Sequence, residues 1–98
     1  MISLVQSDDF AAWLAGLRDD KGKAQILDRL NRATFGNFGD CEPAGDGISE
    51  MRIHYGPGYR VYFMRKGPVV YVLLCGGDKK SQRRDIAKAK RIAKELKG

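Results

Sequence analysis

The chain has 98 residues, enough for one domain on one hydrophobic core and too few for a repeat array or a multidomain machine. With 43% hydrophobic and 31% charged residues it can bury a core and solvate its surface, and no apolar run approaches the roughly 18 residues that a membrane span requires. The net charge is +6, and residues 78 to 98 hold all of it, because residues 1 to 77 carry nine Lys and Arg against nine acids. So dense a cationic segment attracts polyanions such as nucleic acid or an acidic protein partner, although a solvated helix face has the same composition. The first residues, Met1 to Ser7, lack the basic and long apolar regions of a secretory signal, so a cytoplasmic location is expected. Two cysteines, Cys41 and Cys75, with the single His54, are too few for a disulfide framework or a four-ligand zinc site; neither a metal nor another cofactor is expected.

In chain order, Ile2 to Val5 suit a short strand. Ser7 followed by Asp8 and Asp9 is a helix start, with a capping hydroxyl and acids at the positive end of the dipole. A first helix to about Arg18 carries Phe10, Trp13, Leu14 and Leu17 on one stripe. After the break at Asp19 to Gly22, a second helix carries Ala24, Ile26, Leu27, Leu30 and Ala33. Gly36 to Gly47, with four glycines and a proline, is expected to be a loop.

Three strands are predicted next, Ser49 to Tyr55, Tyr59 to Lys66 and Val69 to Cys75, separated by Gly56-Pro57-Gly58 and Gly67-Pro68. A three-residue first loop would pair Tyr55 with Tyr59, Ile53 with Val61 and Met51 with Phe63 on one apolar face. A two-residue second loop would add Val72 beside Phe63 and Leu74 beside Val61. The two N-terminal helices are available to cover that face. Ser81 to Leu96 reads as a last helix, amphipathic and basic, with Ser81 as its cap. The predicted fold is one α+β domain over 1–98, in the order β-α-α-β-β-β-α: a small antiparallel sheet with an N-terminal α-hairpin and a C-terminal basic helix.

The same register gathers Glu50, Arg52, His54, Arg60 and Tyr62 on the opposite face, with His54 opposite Arg60 and Arg52 opposite Tyr62. Arginines bind phosphate in a bidentate fork and stabilise developing negative charge, while His and Tyr can move protons. If the phosphate belongs to RNA, the adjacent 2′-hydroxyl is a built-in nucleophile and no metal is required. Alternating polar residues are also what the solvent face of a half-covered sheet presents. Gly76-Gly77 lacks the spacing and the GK[ST] ending of a phosphate-binding loop, though Lys79 and Lys80 beyond it could add charge to the same rim.

The run from Ser49 to Phe63, then Leu73 to Gln82 with Asp85 and Ile86, closely resembles the addiction-module killer proteins, a HigB-like branch of the RelE/ParE toxin superfamily. The resemblance extends to Phe10-Ala11-Ala12-Trp13-Leu14 and to Gly36-Asn37-Phe38-Gly39-Asp40, nearly the whole chain. It implies a RelE/ParE-like fold and the toxin of a type II toxin–antitoxin pair, silenced by a cognate helix-turn-helix antitoxin. It further implies a ribosome-dependent mRNA endonuclease, with the ribosome and mRNA as partners. In that role Arg52 and Arg60 would bind phosphate and stabilise the transition state, His54 would serve as general base or acid, and Tyr62 would orient RNA. Lys79 and Lys80 match the branch motif, and with Arg84, Lys88 and Arg91 would bind RNA or the ribosome. The chain ends Lys94-Glu95-Leu96-Lys97-Gly98, without the C-terminal catalytic tyrosine of some RelE-type enzymes. A ParE-like minority of the superfamily instead inhibits DNA gyrase by binding, and an inactive scaffold is a third alternative.

Overall fold

The computed structural model describes residues 1–97. Its elements are β1 (Ser3–Gln6), α1 (Asp8–Gly16), α2 (Asp20–Thr34), β2 (Cys41–Gly45), β3 (Ile48–Ile53), β4 (Tyr59–Arg65), β5 (Val70–Gly77) and α3 (Gln82–Lys97). The Ser7 side chain caps α1 by accepting from the Phe10 N–H at 3.0 Å, and Asp19 caps α2 by accepting from Gly22 N–H at 2.9 Å. The five strands form one sheet in the order β1-β5-β4-β3-β2. No helix among the described residues is long and apolar enough to cross a membrane.

Three expectations about the sheet are corrected. It is mixed, because β1 runs parallel to β5 at one edge. It also has a fifth strand, β2, inside the stretch predicted as loop. Gly45, Asp46 and Gly47 all have positive φ (92°, 54° and 78°), the conformation of a tight hairpin turn, and Asp-Gly is the short-range signal for one. Pro43, which argued against a strand, sits on the sheet edge where a missing N–H costs no ladder bond.

The third correction concerns register. β3 and β4 pair Ile53 with Tyr59, Met51 with Val61 and Ser49 with Phe63, two residues away from the expected alignment. The connection is five residues, His54 to Gly58, closed by a Gly58 N–H bond to the Tyr55 carbonyl at 3.0 Å. A shift of two preserves the faces. Between β4 and β5 the slip is one residue where Phe63 pairs with Leu73 and two where Tyr62 pairs with Cys75, because the bulge between them leaves Leu74 extra. Val72 and Leu74 therefore lie on the face opposite the one expected, and Cys75 lies beside Tyr62.

Both sheet faces are consequently covered. On one, Phe10 of α1 and Ile26, Leu30 and Ala33 of α2 pack on Met51, Ile53, Val61, Phe63 and Leu73. On the other, Ala89, Ile92 and Ala93 of α3 pack on Ile48, Tyr62, Met64, Val72 and Leu74. The face expected to present a polar patch to solvent is thus half core. Gly76 and Gly77 are packing residues: a Cβ on the first would meet the Trp13 ring, and one on the second the Asp85 carboxylate.

Candidate functional site

Where α3 begins, its cover of the sheet gives way to polar side chains from β3 and β4. Arg52 stands opposite Arg60 in the ladder and Glu50 opposite Tyr62, so the expected His54–Arg60 and Arg52–Tyr62 pairs are not formed. His54 lies just past β3, at the start of the connection.

Glu50 is the centre of a buried polar cluster, with 2% of its surface exposed. Its Oε1 accepts from Arg52 Nε at 2.9 Å; its Oε2 accepts from Tyr62 Oη at 3.0 Å and from Gln82 Nε2 at 2.6 Å. Arg60 Nε lies 3.9 Å from Oε2 and makes no hydrogen bond of its own. Burial alone would raise the Glu50 carboxyl, but the donors from Gln82, Arg52 and Tyr62 outweigh it and hold the group below its ordinary value. The same ion pair raises Arg52. Burial, then the Glu50 charge, raises the Tyr62 phenol.

Tyr62 is fully buried. The role of orienting RNA expected for it is therefore corrected: closed in beneath α3, it reaches Glu50 and not the surface. Arg60 is also largely buried, its Nη1 donating to the carbonyls of Gly58 at 3.1 Å and Tyr59 at 3.3 Å. It nevertheless lines an open cavity of about 340 Å³ with His54, Lys79 and the loop Tyr55 to Gly58. Gly58, at φ 79°, is the turn residue that keeps this opening, since a Cβ there would lie 3.3 Å from Arg60 Nη1 and 3.4 Å from Lys79 Cβ.

His54 is 68% exposed by side chain, and its Nε2 donates to Asp40 Oδ2 at 2.5 Å. That contact outweighs the opposing effect of burial and, with the charges of His54, Arg52 and Arg29, holds the Asp40 carboxyl below its ordinary value. One small cavity thus combines a buried guanidinium, an exposed ammonium and an imidazole backed by a carboxylate. Such a set can hold a phosphodiester, neutralise charge that builds on it and move a proton.

The remaining basic residues lie apart. Arg84, Lys88 and Arg91 line a separate cleft of about 550 Å³, with Trp13 and the Gly76-Gly77 backbone on its other wall. Lys88 meets Asp9 of α1 at 3.4 Å, while Arg84 is 82% exposed. Lys80 is exposed and lines neither cavity. Cys75 is buried and its thiol pushed up to about 12, chiefly by burial, which makes it a packing residue and not a nucleophile. Among the described residues, no three His, Cys, Asp or Glu side chains converge as a metal site would require.

Asp40, Glu50 and Gln82 were not singled out by role in the sequence. A signal existed for Glu50, a carboxylate spaced two from Ile48 and two from Arg52 on a strand that α3 had to cover on one side. Nothing local marks Asp40 or Gln82, whose partners lie 14 and 32 residues away.

No family model matches the chain. An uncharacterized protein of Haemophilus influenzae is 49% identical over 87 residues, spanning 89% of this chain and 88% of its own length. At that identity and coverage, the chain belongs to the same family as the Haemophilus protein.

Proposed function

We propose that the chain is the toxin of a type II toxin–antitoxin pair, of the HigB-like branch of the RelE/ParE superfamily, and that it cuts mRNA on the ribosome. The observation that carries the reading is the meeting of Arg60, Lys79 and His54 around one open cavity, with Arg52 on the adjacent strand.

Arg60 and Lys79 hold the scissile phosphate, and Arg52 adds positive potential beside it. His54 takes the proton of the 2′-hydroxyl as the 2′-oxygen bonds to phosphorus. The bond from phosphorus to the 5′-oxygen breaks, and that oxygen takes a proton from solvent, leaving a 2′,3′-cyclic phosphate and a 5′-hydroxyl. Removing charge stabilisation of this kind typically costs about 10²–10³ in rate. The exposed cations Lys80, Arg84 and Arg91, with the half-buried Lys88, make the wider contact with RNA or the ribosome, in the cytoplasm, and a helix-turn-helix antitoxin silences the protein by covering basic surface.

Primer extension on a defined mRNA in a purified translation reaction, with and without ribosomes, tests the reading. Cuts at codon positions that appear only with ribosomes support it. Intact mRNA in both arms overturns it, and arrest of DNA replication on induction would then point to the gyrase inhibitor.

A further inference from the structure

We propose that Asp40 is a positioning residue that fixes the orientation and tautomer of His54, so that Nδ1 is the nitrogen offered to the substrate; the assignment rests on the endonuclease reading above. Asp40 is not a loose surface acid. Its carbonyl accepts from the Arg52 N–H at 2.9 Å and from Arg29 Nη2 at 3.3 Å. Arg29, from α2, also donates to the carbonyls of Arg52 at 2.6 Å and Phe38 at 3.0 Å. One guanidinium therefore ties the segment carrying Asp40 to the end of β3, two residues before His54. Gly39, at φ 68°, makes room for it, because a Cβ there would run into the Arg29 guanidinium.

The backbone clamp delivers the Asp40 carboxylate to His54 Nε2. A neutral imidazole has one N–H, and a carboxylate at Nε2 keeps the proton there, leaving the lone pair on Nδ1. When Nδ1 takes the 2′-hydroxyl proton, the ring becomes an imidazolium with N–H at both positions, and Asp40 stabilises it without itself being protonated, the division of labour seen in carboxylate–histidine pairs of hydrolases. Arg29 and Arg52 act on the Asp40 carboxylate, and Arg60 and Lys79 line the cavity with the His54 ring; Arg52 is itself paired with Glu50 and, at 4.0 Å, with Glu42.

Because His54 is the single histidine, its ring nitrogens are read directly in a ¹⁵N-labelled full-length chain. The wild type at alkaline pH is expected to show a protonated Nε2 and an unprotonated Nδ1. Asp40→Ala, with its backbone amide spectrum otherwise preserved, is expected to draw the two shifts toward the average of exchanging tautomers. It is also expected to slow single-turnover cleavage about tenfold, a fraction of the 10²–10⁴ typical of general acid–base catalysis, with KM for mRNA unchanged. Asp40→Glu, which restores a carboxylate, is expected to recover part of both signals. A chain that cuts mRNA normally and whose ring shifts ignore Asp40→Ala overturns the Asp40 assignment alone. A wild-type chain with the Nε2-protonated signature that cuts nothing overturns the endonuclease reading and the catalytic role of Asp40 with it.

Discussion

Gln82 Nε2, in the first turn of α3, donates to Glu50 Oε2 at 2.6 Å. This bond makes the start of the basic helix part of the support behind the two arginines. Through Glu50 the position of α3 is coupled to Arg52, which shares that carboxylate, and to Arg60, 3.9 Å from it.

Tyr62→Phe keeps the ring in the core and removes the hydroxyl that donates to Glu50. The expected result is a stability loss of about 1–2 kcal/mol, with mRNA cleavage retained. Urea unfolding and single-turnover cleavage measure the two. A variant as stable as wild type but unable to cut would return Tyr62 to the chemistry.

Arg60→Lys keeps the charge and loses the planar fork that now grips the Gly58 and Tyr59 carbonyls while lining the cavity. Cleavage is expected to fall about 10²-fold. Ribosome binding, which draws on the exposed cations elsewhere, is expected to change little. Undiminished cutting by a folded Arg60→Lys variant would remove Arg60 from the site.

Glu50 titrates below its ordinary value near 4.5 in the folded chain. A carboxyl depressed by folding stabilises the protein fully above its unfolded value, and that contribution disappears as pH falls through the folded one. Stability is therefore expected to drop on acidification below about pH 5. Glu50→Gln, which does not titrate, is expected to be less stable at neutral pH and to show a flatter acid limb. Urea midpoints across the acid range would reveal parallel curves if another group sets that limb.

Gly76→Ala and Gly77→Ala test the glycine pair as packing residues. Each adds one methyl against a fixed neighbour, Trp13 or the Asp85 carboxylate. Each is expected to cost about 1–3 kcal/mol, as overpacked cores do. Thermal unfolding of the two variants is sufficient; stability unchanged in both would contradict the packing.

The triple variant Arg84→Ala, Lys88→Ala, Arg91→Ala removes three cations from one cleft. If all three contact phosphates, the slope of log affinity for ribosomal RNA against log salt is expected to become shallower by about 2. An unchanged slope would make them a solvated face.

Helix periodicity and caps were legible because they are local: Ser7, the Phe10–Leu14 part of the first stripe and the amphipathic pattern of Ser81 to Leu96 mark helices in the structure, although α1 stops at Gly16, short of the expected Arg18, with Leu17 already extended. The placement of β1, β3, β4 and β5 was nearly as clear, but β2, in a glycine-rich stretch, and the register were not. Whether Phe63 meets Val72 or Leu73 depends on how Lys66 to Val69 close the turn and on the bulge at Leu74, and a slip of one reverses the faces. That slip also closes the open polar patch expected on β3 and β4: α3 buries Tyr62 and Glu50 and leaves the approach to Arg60 between His54 and Lys79. The Asp40–His54 contact depends on Arg29, on another element, and no spacing encodes it.

The placement of all the net charge after residue 77 has a kinetic consequence. A molecule whose first 77 residues are neutral and whose last helix is strongly cationic meets a polyanion in a preferred orientation, α3 leading, and does so faster at low ionic strength. On the proposed reading, capture by α3 and chemistry at the His54 cavity use different elements. Selection can retune how quickly the protein finds its target by exchanging surface lysines on α3, while the pocket beside the Gly-Pro-Gly turn stays unaltered.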